Sequence, residues 1–159
     1  MKNQEKFNKP VLAFYDFEDK NFPYQGNLIM STVKNGTHSF KMDTGMPFSP
    51  GVNITYGDLT KKPQVGIRMS AWVYSEESYT LNPANFVITS NHDGLTYRYE
   101  SLFLEKENLS PGTWNFIIFD YITPEYPDPK DVLQAYIWYR GNKELYVDDL
   151  KIELFEPKE

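Results

Sequence analysis

The stretch Val65-Gly66-Ile67-Arg68-Met69-Ser70-Ala71-Trp72-Val73-Tyr74 constrains the fold more than any other. Val65, Ile67, Met69, Ala71 and Val73 fall on one face at period two, with Arg68, Ser70, Trp72 and Tyr74 on the other. That period builds a strand with one face in a core; wound as a helix it would scatter its apolar residues around the axis. A second run, 132–139, repeats the pattern, with Leu133, Ala135 and Ile137 inward and Gln134, Tyr136 and Trp138 outward. Turn chemistry separates the runs: Asn35-Gly36, Asp93-Gly94, Ser110-Pro111-Gly112 and Gly141-Asn142. No segment sustains a helical period, and 76–79 and 130–132 have room for single turns at most. The expectation is an all-β fold, a two-sheet antiparallel β-sandwich. Its core should hold Ile67, Met69, Ala71, Leu133, Ala135, Ile137, Leu150 and Ile152. Residues 1–10 read as a linker or frayed start, 11–155 as the sandwich domain and 156–159 as a tail.

The last strand poses a specific problem. In Glu144-Leu145-Tyr146-Val147-Asp148-Asp149-Leu150-Lys151-Ile152-Glu153-Leu154, simple alternation puts Tyr146, Leu150, Ile152 and Leu154 on one face. Val147, Lys151 and Glu153 take the other, and Asp148 lands among the apolar residues. An ionised carboxylate is costly to bury unless a cation or several donors meet it. Either a bound metal compensates Asp148, or it sits at a sheet edge, solvated or accepting loop amides.

Composition narrows the function classes. The chain of 159 residues suits one domain with a sizeable core. A net charge of −6 argues against nucleic acid and anionic membranes as partners. The absence of cysteine excludes disulfides and thiol chemistry while leaving the compartment open. No apolar run approaches transmembrane length, and Met1-Lys2-Asn3-Gln4-Glu5-Lys6 does not read as a signal peptide. The start fits a cytosolic protein or a mature domain cut from an exported precursor.

Tyr, Phe and Trp number 12, 11 and 3, more than an ordinary core needs. Trp72 with Tyr74, and Tyr136 with Trp138, stand opposite the core residues of their strands, with Arg68, Arg140 and Gln134 on the same faces. Aromatic planes beside such polar groups suit sugar rings, whose C–H faces stack while their hydroxyls take hydrogen bonds. The other readings are rings packed beneath the long loops 44–62 and 122–131, or a protein partner, since Tyr, Trp and Arg dominate interface hot spots. Catalysis finds little support. His38 and His92 have no metal-ligand spacing, and no serine sits in a glycine-flanked elbow. A glycosidase needs two carboxylates across a cleft; Asp58, Glu100 and Asp120 are three among 22 acidic residues. Three matches to the glycosylation sequon, at Asn35, Asn53 and Asn108, read more simply as turn residues.

Four motifs in order then carry a resemblance: Asp16-Phe17-Glu18-Asp19, Gly36-Thr37-His38-Ser39-Phe40-Lys41, Ala71-Trp72-Val73-Tyr74 and Leu145-Tyr146-Val147-Asp148-Asp149-Leu150. Over about residues 11–155 the chain resembles the jelly-roll, galactose-binding-like carbohydrate-binding modules of the family 4, 9 and 22 type, found beside bacterial glycoside hydrolases. The resemblance implies jelly-roll topology and a non-catalytic module of a larger exported protein, in an extracellular, periplasmic or cell-surface location. It implies a polysaccharide or oligosaccharide partner, with Arg68, Trp72, Tyr74, Gln134, Tyr136 and Trp138 as ligand-binding residues. It further implies a structural calcium held by Glu18, by backbone near Ser39–Lys41, and by Asp148 or Asp149, a mixed oxygen set of the kind that ion takes. The loop 44–62 departs from the family pattern. The competing reading is a structural or protein-interaction domain of the same fold with no glycan ligand.

Overall fold

The structure, a computed structural model, describes the backbone of residues 7–8 and all of 10–157. Its strands are β1 (Phe7–Asn8), β2 (Val11–Tyr15), β3 (Leu28–Ile29), β4 (Ser39–Met42), β5 (Val52–Thr55), β6 (Gly66–Tyr74), β7 (Ala84–His92), β8 (Leu95–Phe103), β9 (Trp114–Ile122), β10 (Val132–Tyr139) and β11 (Leu145–Pro157). One turn of helix, α1 (Tyr56–Leu59), follows β5. The strands form two antiparallel sheets of a jelly-roll sandwich. Sheet one runs β3-β4-β11-β6-β9, with β1 and β2 also paired to β11; sheet two runs β5-β10-β7-β8.

The two clean alternations behave as expected. All eight expected core residues are buried, at 2% exposure or less. Phe40 and Met42 of β4, Phe86 and Ile88 of β7, and Val147 and Leu154 of β11 join them between the sheets. The β7–β8 hairpin turns at Asp93 and Gly94, both at positive φ (49° and 80°), which is the primed turn that Asp-Gly favours.

β3 is short: only Leu28–Ile29 pair, and the chain then turns back at Asn35-Gly36, with Gly36 at φ 72°. Two boundaries differ from the sequence reading. β11 continues to Pro157 and pairs there with Phe7 and Asn8, so part of the expected tail and part of the expected linker belong to sheet one. The rest of both segments, 1–6, 9 and 158–159, lies outside the described residues.

The phase of β11 also needs correction. Asp148 pairs with Trp72, but Lys151 pairs with Ser70, so β11 advances three residues while β6 advances two. This is a β-bulge, and Asp149 absorbs it at φ 48°. The extra residue switches the faces. Leu145 and Val147 point inward before it, and Leu150, Ile152 and Leu154 point inward after it. Tyr146 therefore lies on the outer face and Val147 in the core, the reverse of simple alternation.

Candidate functional site

The bulge explains how Asp148 is fully buried outside the core. Its side chain leaves sheet one on the outer side, where the β3–β4 loop folds over it. Lys34 and Asn35 donate their backbone N–H groups to Asp148 Oδ2 at 3.1 and 3.0 Å, and Asp149 N–H donates to Oδ1 at 2.9 Å. Burial nevertheless outweighs these donors and pushes the carboxyl up to about 6. The other side of the same loop is held by Glu18. Its Oε1 accepts the N–H of Thr37 and of His38, both at 2.9 Å, and its Oε2 accepts the Thr37 hydroxyl at 2.6 Å. The Thr37 hydroxyl, with these amides and the His38 ring, draws Glu18 down to about 2 against the opposing effect of burial. A Cβ on Gly36 would fall 2.4 Å from Glu18 Oε1, so glycine is required both for the turn and for the approach.

Glu18, Asp148 and Asp149 thus bracket one loop, but they do not converge. Both oxygens of Glu18 and of Asp148 accept from N–H or O–H donors, and Asn35 Nδ2 donates to Asp149 Oδ2. Among the described residues, the set of three carboxylate and imidazole groups with ligand atoms all within 4.8 Å of one another is His92, Asp128 and Asp131. There His92 Nδ1 is 2.6 Å from Asp131 Oδ1, and Tyr97 donates its hydroxyl to Asp131 Oδ2 at 2.9 Å.

The six residues expected to bind ligand do not form one surface. Arg68, Trp72 and Tyr74 stand on β6 in sheet one, and Gln134, Tyr136 and Trp138 on β10 in sheet two. Strand alternation turns each trio away from the core, so they occupy opposite outer faces of the sandwich and cannot meet one ligand.

In sheet one, the polar tips already have partners. Arg68 makes a bidentate pair with Asp120, at 2.7 and 2.8 Å. Lys34 Nζ sits 4.4 Å above the Trp72 ring, which also packs on Phe116 at 5.0 Å. Tyr74 donates to Glu76 at 2.8 Å and packs between Trp114 and Tyr146.

The outer face of sheet two is organised differently. Cross-strand pairing sets Asn53, Gln134, Thr89 and Tyr99 in one row, Tyr136, Val87 and Ser101 in the next, and Trp138, Asn85 and Phe103 in a third. Val87 is fully buried although it points outward, so the surrounding side chains wall it in. The segment before β5 closes one side. Ser49 N–H donates to Ile137 O, Tyr139 N–H donates to Pro47 O, and Phe48 bridges to Trp138. Gly51 permits this approach, because a Cβ there would fall 1.8 Å from Ala135 O. Phe48, 52% exposed, meets Tyr136 edge-on at 5.8 Å and lies nearly parallel to Trp138 at 6.4 Å. Tyr99 is 48% exposed across the sheet. Burial raises the Tyr136 and Tyr99 hydroxyls above their ordinary value, so both remain neutral hydrogen-bonding groups at pH 7.

Beside Phe48 and Tyr136 lies an open groove of about 410 Å³, lined also by Gly51, Asn53 and Gln134. A second hollow of about 400 Å³ shares Asn53 and Gln134 and extends it toward Asn91 and Lys130. Gln134 Oε1 accepts from Thr89 and Asn91 at 3.4 and 3.5 Å. At the far end, Arg140 stacks over Trp138 and Phe103, donates to Asn85 Oδ1 at 2.7 Å, and pairs with Glu105. Phe48, Asn53 and Tyr99 were not singled out from the sequence as ligand-binding residues. Phe48 sits between two prolines in a stretch without alternation. Tyr99 lies on a strand whose two faces are both polar enough to hide which one is outward. The acids weighed for catalysis stand apart: Asp120 on sheet one, Glu100 on sheet two, and Asp58 on α1, where it accepts from Thr55.

No family model matches the sequence, and no curated protein matches it. Solved structures do share the fold. The CBM22-1 xylan-binding domain of Paenibacillus barcinonensis Xyn10C aligns with TM-score 0.57 at 14% identity, over 94% of this chain and 97% of that one. The tandem CBM22-1–CBM22-2 structure from the same protein aligns at 0.60 and 20% identity, over 90% of this chain and 50% of the tandem. A family 16 carbohydrate-binding module aligns at 0.50 and 16% identity, over 79% and 82%. The sandwich described above is thus the fold of carbohydrate-binding modules.

Proposed function

We propose that this chain is a non-catalytic carbohydrate-binding module whose ligand lies on the outer face of sheet two. The observation that carries this reading is the groove itself: Phe48 and Tyr136 stand beside the amides of Asn53 and Gln134, with Tyr99 and Trp138 on the same outer sheet face. Rings supply stacking surface for the C–H faces of a sugar, and the amides supply paired donors and acceptors for its hydroxyls. The fold shared with xylan-binding domains supports xylan or a similar neutral polysaccharide or oligosaccharide as the first ligand to try. The same likeness supports a role as a module of a larger exported protein, in an extracellular, periplasmic or cell-surface setting. Among the described residues no helix is long and apolar enough to cross a membrane.

Native affinity electrophoresis in gels containing xylan, mixed-linkage glucan, mannan or galactan tests the reading. Retardation by at least one of them is expected, and its loss in Tyr136→Ala. Unretarded migration in every gel contradicts it.

The structural calcium is a separate proposal within this reading. Glu18, Asp148 and Asp149 would supply its carboxylates, and the N–H donors now on those oxygens would have to give way. Melting in excess chelator against millimolar calcium decides it, because a ligand of the folded state alone must raise the transition. Superimposable melts remove the calcium and leave the amides as the compensation for Asp148.

A further inference from the structure

Sheet edges expose unpaired backbone donors and acceptors, and proteins normally blunt them with short strands, charges, prolines or bulges. This sandwich does so at most of its edges. β3 has two residues. β5 has four and runs directly into α1. β8 carries Arg98 and Glu100 and is bulged against β7. β2 follows Pro10 and slips register against β11. The exception is β9, at the end of sheet one. Its nine residues, Trp114-Asn115-Phe116-Ile117-Ile118-Phe119-Asp120-Tyr121-Ile122, contain no Lys, Arg, Pro or Gly and pair with β6 in unbroken register.

The backbone orientation of that edge follows from its end. Thr123 N–H donates to Val65 O at 2.9 Å, continuing the β6 ladder. Antiparallel alternation then turns the backbone groups of 117, 119 and 121 to β6, and those of 114, 116, 118, 120 and 122 to the open side. Arg98 Nη1 covers Ile122 O at 3.1 Å. Among the described residues, 114–120 receive no such cover on that side. The side chains beside this edge are apolar and in water: Phe116 is 48% exposed, Ile118 46% and Ile122 58%.

We propose that β9 is a self-association edge, pairing antiparallel with β9 of a second copy to extend sheet one across a twofold axis. The charge pattern favours a second copy. At a net charge of −6 two chains repel in general, yet the one charge on β9, Asp120, is already met in bidentate fashion by Arg68 of its own chain. An axis through Ile118 sets that residue against its own copy, Trp114 against Ile122 of the second copy, and Phe116 against its Asp120–Arg68 pair. No like charges meet, and the strand lengths match by identity. Aliphatic Ile118 and Ile122 offer nothing to a sugar ring, which separates this edge in chemistry from the groove of sheet two. It also lies on the other sheet, so association leaves that groove open.

Light scattering after size exclusion, with sedimentation equilibrium over a concentration series, tests the proposal. The wild-type mass is expected to climb from 18.6 kDa toward twice that value. Ile118→Lys, which charges the edge, and Ile118→Pro, which removes a single outward N–H, should both hold it at 18.6 kDa. Their far-ultraviolet spectra should match the wild type. A wild-type chain that stays at the monomer mass throughout overturns the proposal. So does a dimer that survives both substitutions, which would place the contact elsewhere. A dimer lost with lysine but kept with proline would also overturn edge pairing, in favour of packing through the face.

Discussion

Removing the Asp148 carboxylate tests the link between the β-bulge and the β3–β4 loop. In Asp148→Ala, three backbone N–H groups lose an acceptor at 2.9–3.1 Å. Hydrogen bonds to a charged group contribute about 1.5–3 kcal/mol each. Lys34 and Asn35 are exposed, so their amides rehydrate, and a buried charge is relieved at the same time. The net loss at pH 7 should therefore be about 1–3 kcal/mol. For a chain of this size that lowers Tm by about 2–4 °C per kcal/mol. Acidification sharpens the test. The folded pKa of Asp148, about 6, lies above its ordinary value of 3.8, so a proton-linked stabilisation adds to these hydrogen bonds, full below about 4 and lost as pH rises through about 6. Alanine does not titrate. The gap between wild type and Asp148→Ala should thus widen from pH 7 to pH 4.5, by on the order of 1–2 kcal/mol. Calorimetric melts of both proteins at the two pH values measure it. Equal melting temperatures, or a gap that narrows on acidification, would refute the reasoning.

Glu18 runs in the opposite sense. Its folded value near 2 lies below the ordinary 4.5, so its contribution is present above about 4.5 and fades as pH falls toward 2, and Glu18→Gln should erase that acid-limb dependence in urea titrations. His92 is raised, chiefly by its hydrogen bond to Asp131. Its stabilising contribution is full below 6.5 and lost as pH climbs through the raised value, and a pH series of melts on His92→Gln should show no such decline. Gly36→Ala places a side chain at φ 72° and against Glu18, so chemical denaturation should show a loss of about 1–3 kcal/mol. Ile137→Ala empties a fully buried site between the sheets, and the same assay should read a loss of about 2–5 kcal/mol.

How far the sequence could be read follows from what each signal depends on. Alternation is local, so β6 and β10 were legible with their faces, and the turn at Asp93-Gly94 was legible from two residues. The bulge at Asp148–Asp149 was not, because one extra residue reverses every later face and announces itself only through pairing with β6. The demand that Asp148 be compensated was legible; that loop amides meet it required knowing where residues 34 and 35 return in space. The proposed surface was half legible. That Gln134, Tyr136 and Trp138 share one outward face could be read from β10 alone, whereas Trp72 and Trp138 stand on different sheets, because sheet membership is a non-local property. Phe48 completes the groove from a position 88 residues before Tyr136 along the chain, which no periodicity reveals.

The central claim, that the ligand lies on sheet two, is tested most directly by comparing Tyr136→Ala with Trp72→Ala in titration calorimetry against whichever glycan retards the wild type. A ring at the heart of an interface is worth about 2 kcal/mol or more, about thirty-fold in Kd. The account predicts at least that loss for Tyr136→Ala, with its melting curve close to wild type, and unchanged affinity for Trp72→Ala on the opposite sheet. Wild-type affinity in a folded Tyr136→Ala protein, with binding abolished by Trp72→Ala, would contradict it and move the site to sheet one.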